Sequence, residues 1–418
     1  MNPTILYISY DGMLEPLGQS QVLAYLEQLS ADYCIHLVSF EKPVDRADIG
    51  KLAALKARIK AANIEWHPLT YHKSPTALAT AWDIVVGTIT AIRLARRHKC
   101  KIVHARSYVP ALMALGVKRA TGAKFLFDIR GFWPDERVDG GLWPRDGRLY
   151  RMTKRLEKRF FRAADHVVTL TNASVEVISG FDYLQEHCPP ISVIPTCADL
   201  ERFRPVSAAS RVEEQRPFTF GYVGSVGTWY LFDETLAFFK EISKHKPDAC
   251  LLVVNRNEHA FIRSAVEKAG IAPERLHLVA ADHQDVPSFI ALMDVAAAII
   301  RPCYSKISSA PTKLGEYLGC GVPCIGNVGV GDMEEILEGE RVGIALRNFS
   351  TADLSDGAKR LLNLLEEPGL KDRCVNIAHK RFSLEGGVEA YREIYERLTL
   401  ETRLSLSRSR AGGKEKAL

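Results

Sequence analysis

Short runs of apolar residues, many of them β-branched, alternate along the chain with longer segments in which apolar residues recur every three or four positions. The short runs predict strands at Thr4–Ser9, Cys34–Phe40, Lys101–Ala105, Ala123–Asp128, His166–Leu170, Ile191–Ile194, Phe218–Val223, Cys250–Val254, Leu276–Val279, Val295–Ile300, Pro323–Ile325 and Gly343–Leu346. Segments of helical length, such as Ser20–Ser30, Thr76–His98 and Asp233–His245, lie between them. This alternation is typical of parallel sheets with helices on both faces, so the sequence predicts an α/β fold.

The pattern is interrupted once, at Arg204–Pro217, where two prolines and several small or charged residues show no apolar periodicity. A chain of 418 residues is too long for one ordinary core. We therefore expect two doubly wound domains. The predicted division is residues 1–203, a linker over 204–217, residues 218–380, a last helix over 381–400 that returns to the first domain, and a disordered basic tail over 401–418.

Composition narrows the class of protein. Hydrophobic residues make up 47% of the chain and charged residues 25%, values ordinary for a soluble globular protein, and a net charge of +5 predicts no general affinity for nucleic acid. The nine cysteines are scattered without a Cys-x-x-Cys pair, and Cys320 and Cys324 have no second pair at metal-site spacing. Met1–Tyr10 lacks a basic start and is predicted to be a strand, not a signal peptide. We expect a cytoplasmic protein with reduced thiols.

The most informative segment is Ser308–Pro323, which follows the apolar run Asp294–Ile300 and a polar loop. It opens a helix, and a strand–loop–helix join of this kind directs backbone N–H groups and the positive end of a helix dipole at one spot. Lys306 and Lys313 bracket that spot, and Glu316 follows about one turn into the helix. Cations for a diphosphate and a carboxylate for a ribose together predict a nucleotide site.

The same segment resembles the family 4 glycosyltransferases of the GT-B fold. In that family a Glu-x7-Glu element precedes a small-Gly-x-Pro turn, which places the second glutamate on Glu316 and the turn on Gly321–Pro323. The first glutamate falls on Ser308, a departure shared by a branch with Ser-x-Pro-Thr-Lys-x-x-Glu, which this chain matches. The resemblance covers Met1 to about Leu398. It implies two Rossmann-like domains facing across a cleft, the first on the acceptor side and the second binding the nucleotide sugar.

The resemblance also implies roles for individual residues. Glu316 would hold the ribose, and the loop before it would hold the diphosphate. The implied donor-binding residues are Gly224, Ser225, Ser308, Ser309, Thr312, Lys313, Glu316, Gly331 and Asp332. Many family members have Arg and Lys where this chain has Ser225 and Tyr230, so Lys306 and Lys313 are expected to supply the missing charge. The alternatives are a solvated helix residue for Glu316, a surface lysine for Lys313 and a helix N-cap for Asp332.

Candidate acceptor-side residues lie at strand ends in the first domain. Gly18 and Gln19 belong to a long loop between the first strand and the first helix. Asp128 and Arg130 end another strand, where Asp128 would orient an acceptor hydroxyl and Arg130 would bind a phosphate. A pair that only braces the loop is an equally good interpretation. His104, at the end of the preceding strand, is a weaker candidate than either.

A basic helix is predicted over Arg145–Arg162, which carries eight positive and two negative residues. The cations that recur at helical spacing are Arg148, Arg151, Arg155, Lys158 and Arg162. An apolar stripe runs beside them, a combination that suits an anionic membrane surface. The alternative is a packed helix with a solvated charged face. The first interpretation would place the protein on the inner face of the cell membrane.

The resemblance implies a hexosyltransferase that moves a sugar from a nucleotide-diphosphate sugar to a polysaccharide or lipid-linked acceptor, with retention of configuration. No Asp-x-Asp element is present, so we expect neither a metal nor another cofactor. Lys306, Lys313, Asp128 and Arg130 are the expected catalytic residues. Two alternatives stay open: a nucleotide-sugar epimerase on the same architecture, and a non-catalytic protein that binds nucleotide sugars.

Overall fold

The computed structural model describes residues 2–205, 216–282 and 284–414. Residues 206–215, most of the predicted linker, lie outside this part of the chain. Two parallel sheets, one on each side of the linker, form the cores of two domains.

The first sheet has seven strands in the order β3-β2-β1-β4-β5-β6-β7, and every neighbouring pair is parallel. Its strands are β1 (Thr4–Ser9), β2 (Cys34–Glu41), β3 (Glu65–Thr70), β4 (Ile102–Arg106), β5 (Lys124–Asp128), β6 (His166–Thr169) and β7 (Ile191–Val193). The order reverses between β1 and β4. Ligands of such sheets bind beyond the carboxyl ends of the strands, at this point of reversal.

The second sheet has six parallel strands in the order β10-β9-β8-β11-β12-β13. Its strands are β8 (Thr219–Val223), β9 (Cys250–Val254), β10 (Leu276–Val279), β11 (Val295–Ala297), β12 (Cys324–Asn327) and β13 (Gly343–Leu346). The order reverses between β8 and β11, so the two domains repeat one topological plan.

Helices cover both faces of each sheet. The first domain contains α1 (Pro16–Gly18), α2 (Ala24–Leu29), α3 (Pro43–Arg46), α4 (Ile49–Ala61), α5 (Thr76–Arg97), α6 (Tyr108–Thr121), α7 (Trp133–Asp139), α8 (Arg148–Ala163) and α9 (Asn172–Ser179). The second contains α10 (Phe232–His245), α11 (His259–Lys268), α12 (Val286–Ile290), α13 (Thr312–Gly319), α14 (Thr351–Leu365) and α15 (Leu370–Phe382), and α16 (Leu384–Lys414) ends the described chain. A π-helical turn, Gln19–Leu23, joins α1 to α2, and a second one spans Glu335–Gly339.

The predicted fold class is confirmed, and each of the twelve predicted strands is present. The sequence pattern missed one strand, β3, whose residues Glu65–Thr70 are mostly polar or half-buried and include Pro68. A proline cannot donate to a sheet ladder and is tolerated at a sheet edge. β3 is the edge strand, so it needs neither an apolar run nor a complete set of donors.

The last helix crosses back to the first domain. Val388, Tyr391, Tyr395 and Leu398 are buried in one apolar cluster with core residues of the first sheet such as Tyr7. α16 continues to Lys414, so a helix is present over much of the segment where the sequence predicted a disordered tail.

Among the residues that the structure describes, one helix, α5, has the length and apolar composition that a membrane span requires. In this structure it packs against α6, and Gly87 lies so close to Met113 that a Cβ there would meet its Sδ at 2.6 Å. Its outer side is nevertheless apolar. The large exposed side chains on it are Leu78, Trp82, Val85 and Ile89.

The Tyr391 hydroxyl donates a hydrogen bond of 2.9 Å to the buried Asp128 carboxylate and so joins α16 to the first sheet. Tyr391→Phe removes this donor and leaves a buried carboxylate oxygen without it. We expect the free energy of unfolding to fall by about 1–2 kcal/mol. Urea unfolding followed by circular dichroism measures the change. Leu400→Ala, an exposed position on the same helix, is the control and should be neutral; an equal loss in both variants would contradict the anchoring role of Tyr391.

Candidate functional site

A glycine turn ends β8 at the carboxyl edge of the second sheet. Gly224 has φ +101°, a conformation that other residues rarely adopt. The loop after it is braced by Glu258, which accepts hydrogen bonds of 3.1 Å from both the Ser225 hydroxyl and the Val226 amide. Asn255 donates 3.0 Å to the Gly224 carbonyl oxygen. The turn therefore has a fixed shape, and Ser225 at its tip is exposed.

Lys313 lies directly beneath this turn. Its side chain enters the space between Tyr222 and Tyr230, with Nζ 4.5 and 3.6 Å from the two ring centroids. A Cβ on Gly224 would lie 3.5 Å from Nζ. Lys313 is 7% exposed, and its Nζ has no hydrogen-bond partner in the described part of the chain. Burial lowers the pKa of Lys313 to about 7, against partial compensation by Glu316.

α13 carries Lys313 and Glu316 into this region. Its start has no side-chain cap, because Pro311 occupies the N-cap position. Tyr317 fixes the helix against β8 by accepting a hydrogen bond of 2.9 Å from the Val223 amide. Glu316 is buried, and its charge helps to raise the pKa of Tyr230, although burial is the larger cause. The ammonium, the carboxylate and the open helix start thus share one small region.

Lys306 connects the two domains. Its Nζ lies 2.8 Å from Glu136 Oε1 on α7 of the first domain and 3.8 Å from the centroid of the Trp229 ring. Two further contacts run parallel to this pair. The Ser305 amide donates 2.9 Å to Asp139, and the rings of Phe132 and Tyr304 stack at 5.4 Å. In this state the charge of Lys306 is already matched by a carboxylate.

Asp332 forms a second contact between the domains, and Gly331 before it is held within the second domain. The Gly331 amide donates to the Lys306 carbonyl oxygen at 2.9 Å, and a Cβ on Gly331 would meet the Ser309 carbonyl oxygen at 2.2 Å. The Asp332 carboxylate accepts hydrogen bonds from the amides of Asn172 at 2.7 Å and Ala173 at 2.9 Å. Asp332 therefore caps a helix, but the helix is α9 of the opposite domain.

Ser308, Ser309 and Thr312 lie on the loop between these contacts. Ser308 is buried, and its hydroxyl has no hydrogen-bond partner within the described residues. A cavity of about 240 Å³ opens between the domains beside Ser309, Pro311 and Asp332. Lys306, Lys313 and Glu316 are themselves all more than nine-tenths buried. Lys306 is covered by Glu136 of the first domain, whereas Lys313 is covered by Tyr222, Tyr230 and the Gly224 turn of its own domain.

In the first domain Asp128 is the centre of a buried polar cluster. Its carboxylate is fully buried and lies 3.6 Å from His104 Nε2, 3.9 Å from Arg106 Nη1 and 3.9 Å from Arg130 Nη1. These distances exceed a hydrogen bond, and Asp128 Oδ1, Arg106 Nη1 and His104 Nε2 have no partner among the described residues. Burial raises the pKa of Asp128, but the surrounding cations outweigh it and the net direction is downward.

His104 has the opposite balance. Burial lowers its pKa, the Asp128 carboxylate compensates only in part, and the ring is neutral at pH 7. Its Nδ1 lies 2.7 Å from the Tyr395 hydroxyl on α16. The structure thus brings Asp128, Arg130 and His104 together in one cluster beneath the last helix.

Arg130 occupies an unusual position at the end of β5. Its φ is +54°, and its guanidinium is 3.5 Å from the amide oxygen of Gln21. Burial alone would lower the pKa of Arg130, but Asp128 outweighs it and raises the pKa. Gly18 serves close packing, because a Cβ there would lie 2.1 Å from the Gly12 carbonyl oxygen. Gln21, two residues after Gln19 in the same π-helical turn, is the residue of this segment that reaches the cluster.

Sequence reasoning missed Arg106 and Glu136, whereas Gln21 lies in the same segment as the predicted residues Gly18 and Gln19. Arg106 pairs in register with Asp128 at the carboxyl ends of β4 and β5, where it is buried. The signal that the sequence does contain is an arginine directly after the predicted strand Lys101–Ala105. Glu136 lies six residues after Arg130, but nothing local in the sequence indicates its partner Lys306, 170 residues away.

The cations of α8 predicted to face solvent are exposed, and Leu149 and Met152 are exposed beside them at 42% and 50%. A groove of about 550 Å³ runs along this helix and ends at Tyr304 of the second domain. Its basic lining residues are Arg145, Arg151, Lys154, Arg155 and Lys158. Lys154 is matched by Asp135 at 3.0 Å and Glu157 at 2.5 Å, and Arg145 lies 3.9 Å from Asp139.

Residues 53–202 match the family described as Glycosyltransferase Family 4, which confirms the resemblance found in the sequence. The match lies within the first domain, whereas the motif that carried the resemblance lies in the second. No curated protein sequence matches the chain.

The whole chain is similar in structure to GT-B proteins. Sucrose-phosphate synthase from Thermosynechococcus elongatus has 14% identity and a TM-score of 0.71, over 96% of this chain and 100% of that one. HepE of Anabaena, solved in complex with UDP, has 14% identity and a TM-score of 0.66, over 94% and 100%. A putative UDP-N-acetylglucosamine 2-epimerase from Listeria monocytogenes has 14% identity and a TM-score of 0.59, over 95% and 98%. At these identities the likeness establishes the GT-B fold.

Lys313→Met replaces a buried, unpaired ammonium by an apolar side chain of similar length. Since the folded-state pKa of Lys313 lies near 7 and an unfolded lysine titrates near 10.5, the wild-type protein bears the full penalty below pH 7 and loses it as pH rises to about 10.5. We expect Lys313→Met to raise the free energy of unfolding at pH 7 by roughly 1–3 kcal/mol. Urea unfolding from pH 6 to about pH 10 should show the gain fading. Lys56→Met, at an exposed site on α4, is the control; a destabilised Lys313→Met protein would refute the interpretation.

Proposed function

Because the chain has the GT-B fold and residues 53–202 match Glycosyltransferase Family 4, we propose that it is a glycosyltransferase. It moves a sugar from a nucleotide-diphosphate sugar to a glycan or lipid-linked acceptor. The observation that carries the proposal is the ammonium of Lys313, buried without a hydrogen-bond partner under the Gly224 turn. A buried cation in this position is stabilised by an anion, and a diphosphate at the carboxyl end of the sheet supplies one.

In the proposed complex the diphosphate lies between the Gly224 turn and the start of α13. The uncapped amides of Thr312 and its neighbours, together with Ser308 and Ser309, donate to phosphate oxygens. Lys313 takes up a proton and becomes a full positive charge, which offsets the negative charge that develops on the leaving diphosphate. Glu316, one turn further along α13, accepts from the ribose hydroxyls. Fixed cations in these positions support a reaction without a metal, and the leaving phosphate itself would assist deprotonation of the acceptor, with retention of configuration.

Lys306 provides the second charge through an exchange of partners. Without ligand it is paired with Glu136 of the first domain at 2.8 Å, and with donor bound it turns to the phosphate. The same motion separates Asp332 from the start of α9 and gives Gly331 and Asp332 access to the donor sugar. Closure around the bound donor then excludes water and protects it from hydrolysis.

The acceptor binds on the first-domain side, at the cluster of Asp128, Arg106 and Arg130. Their unpaired polar atoms offer one acceptor and one donor within a buried site. Asp128 is ionised, so it orients an acceptor hydroxyl by accepting its hydrogen bond. Arg130 and Arg106 hold an anionic group of the acceptor, and Gln21 positions Arg130.

Titration of the protein with UDP, GDP, ADP and NAD by calorimetry tests the donor site. We expect one nucleoside diphosphate to bind and NAD not to bind. Lys313→Met and Glu316→Gln should weaken binding about 10- to 100-fold each, because each removes a charged hydrogen-bonding group. Lys56→Met and Glu366→Gln, at exposed sites, should bind as the wild type does. Preferred binding of NAD, or full affinity in Lys313→Met, would end the proposal.

Incubation with the labelled sugar form of the nucleotide that binds then separates the candidate functions. Transfer of label to membrane extract supports the transferase. Isomerised donor without transfer indicates the epimerase, and binding without turnover indicates a non-catalytic protein.

The lipid-linked acceptor is supported by the outer surface of the first domain. The exposed apolar stripe of α5 and the basic stripe of α8 lie on the same side of the sheet, on either side of α6. Apolar side chains beside arginines suit the headgroup region of an anionic membrane. The groove along α8 leads from this surface to Tyr304 at the domain boundary. A lipid-linked acceptor held there would enter the cleft from the membrane.

Sedimentation with vesicles of phosphatidylglycerol and phosphatidylcholine tests this surface. The triple variant Arg148→Glu, Arg151→Glu, Arg155→Glu should bind at least about 100-fold more weakly, since each cation near an anionic surface contributes about 1 kcal/mol. Vesicles of phosphatidylcholine alone should bind weakly in every case. The control carries Lys246→Glu, Arg263→Glu and Lys268→Glu on the second domain. Equal losses of vesicle binding in both triple variants would show that net charge alone causes binding and would contradict a specific membrane surface on α8.

A further inference from the structure

Three histidines and a glutamate converge at the edge of the first sheet, away from the cleft. His36 lies near the start of β2, and Glu65 and His67 lie at the start of β3, with His36 and Glu65 paired in register. His98 is the C-cap residue of α5. The proposed donor and acceptor sites lie at the carboxyl ends of the strands, whereas this cluster lies toward their amino ends.

The distances in the cluster match those between the ligands of one ion. His36 Nδ1 lies 3.2 Å from Glu65 Oε2 and 3.2 Å from His67 Nε2. Zinc bonds to N and O ligands are about 2.0–2.1 Å, so two ligands of a tetrahedral zinc ion are about 3.3 Å apart. The His98 ring lies 3.9 Å from that of His36, and one donor atom each from His36, Glu65 and His98 fall within 4.8 Å of one another. His67 lies outside this group of three and joins it through its contact with His36.

Hydrogen bonds alone cannot give His36 Nδ1, the Glu65 carboxylate and His67 Nε2 a suitable partner each. An imidazole nitrogen carries at most one proton, yet His36 Nδ1 faces a carboxylate oxygen and a second imidazole nitrogen at the same distance. If His36 Nδ1 is unprotonated, it accepts from His67 and lies against the lone pairs of Glu65. If it is protonated, it must divide one hydrogen between two acceptors. A cation at the shared position satisfies all of these atoms at once.

We propose that His36, Glu65, His67 and His98 bind one Zn²⁺ ion. Three imidazoles and one carboxylate form a donor set that suits zinc and is too nitrogen-rich for Mg²⁺ or Ca²⁺. Four protein ligands fill a tetrahedral shell and leave no position for a substrate, which makes the site structural. The ion fastens the polar edge strand β3 to β2 and to the end of α5. Glu65 is 61% exposed, so the ion enters from solvent.

The experiment uses tag-free full-length protein, stripped with a chelator and titrated with ZnCl₂ against a zinc-sensitive dye. The expected result is one zinc ion per chain and a rise in Tm of a few degrees on binding. Glu65→Gln alters an exposed ligand and leaves folding intact, and Glu65→Gln/His98→Gln should weaken binding at least about 100-fold. His245→Gln, an exposed imidazole of the second domain, is the matched control and should bind as the wild type does.

The visible absorption spectrum of the Co²⁺-loaded protein is a second measurement of the site, because a tetrahedral Co²⁺ site absorbs visible light far more strongly than an octahedral one. The wild type should show the strong absorption, and the double variant should not. Less than stoichiometric zinc in the wild type, or full zinc affinity in the double variant, would overturn the proposal.

Discussion

The arrangement of the two domains depends on a carboxylate of one domain that caps a helix of the other. The Asp332 carboxylate accepts hydrogen bonds from the first two amides of α9. Beside it, the Thr171 hydroxyl donates to the Ile307 carbonyl oxygen at 2.8 Å. Together with Lys306 and Glu136, these contacts make the interface polar on the side that holds the site. Polar contacts can be exchanged for contacts with water or ligand at little cost, unlike an apolar core. The interface can therefore hold the domains together and still release them.

Both domains keep charged groups buried and incompletely paired at the carboxyl ends of their strands. In the second domain this is the Lys313 ammonium, and in the first it is the cluster around Asp128. Such groups reduce stability unless a ligand pairs with them, which is why they cluster at functional sites. The two sets differ in sign and partners. One is a lone cation suited to phosphate, and the other combines a carboxylate with guanidinium groups and suits a polar acceptor.

The sequence predicted those parts of the fold that the pattern of apolar residues determines. The buried strands, the two sheets and the helix that starts at Thr312 follow from runs of apolar residues and from the Gly and Pro residues that end them. It could not predict that Lys313 points inward, because the burial of a lysine depends on Tyr222 and Tyr230, which lie some 80 to 90 positions earlier. Lys306 was a candidate residue from the sequence, but its pairing with Glu136 could not be predicted. β3 was missed because its residues are mostly polar. Glu65 and His67 lie against His36 of β2, and no apolar run marks the strand.

The return of α16 to the first domain gives the protein two covalent connections between its halves. The chain that precedes the first connection and the chain that precedes the second lie side by side, since the Ala198 amide donates to the Phe382 carbonyl oxygen at 2.8 Å. Two connections that start from one shared point restrict the relative movement of the domains more than a single linker would.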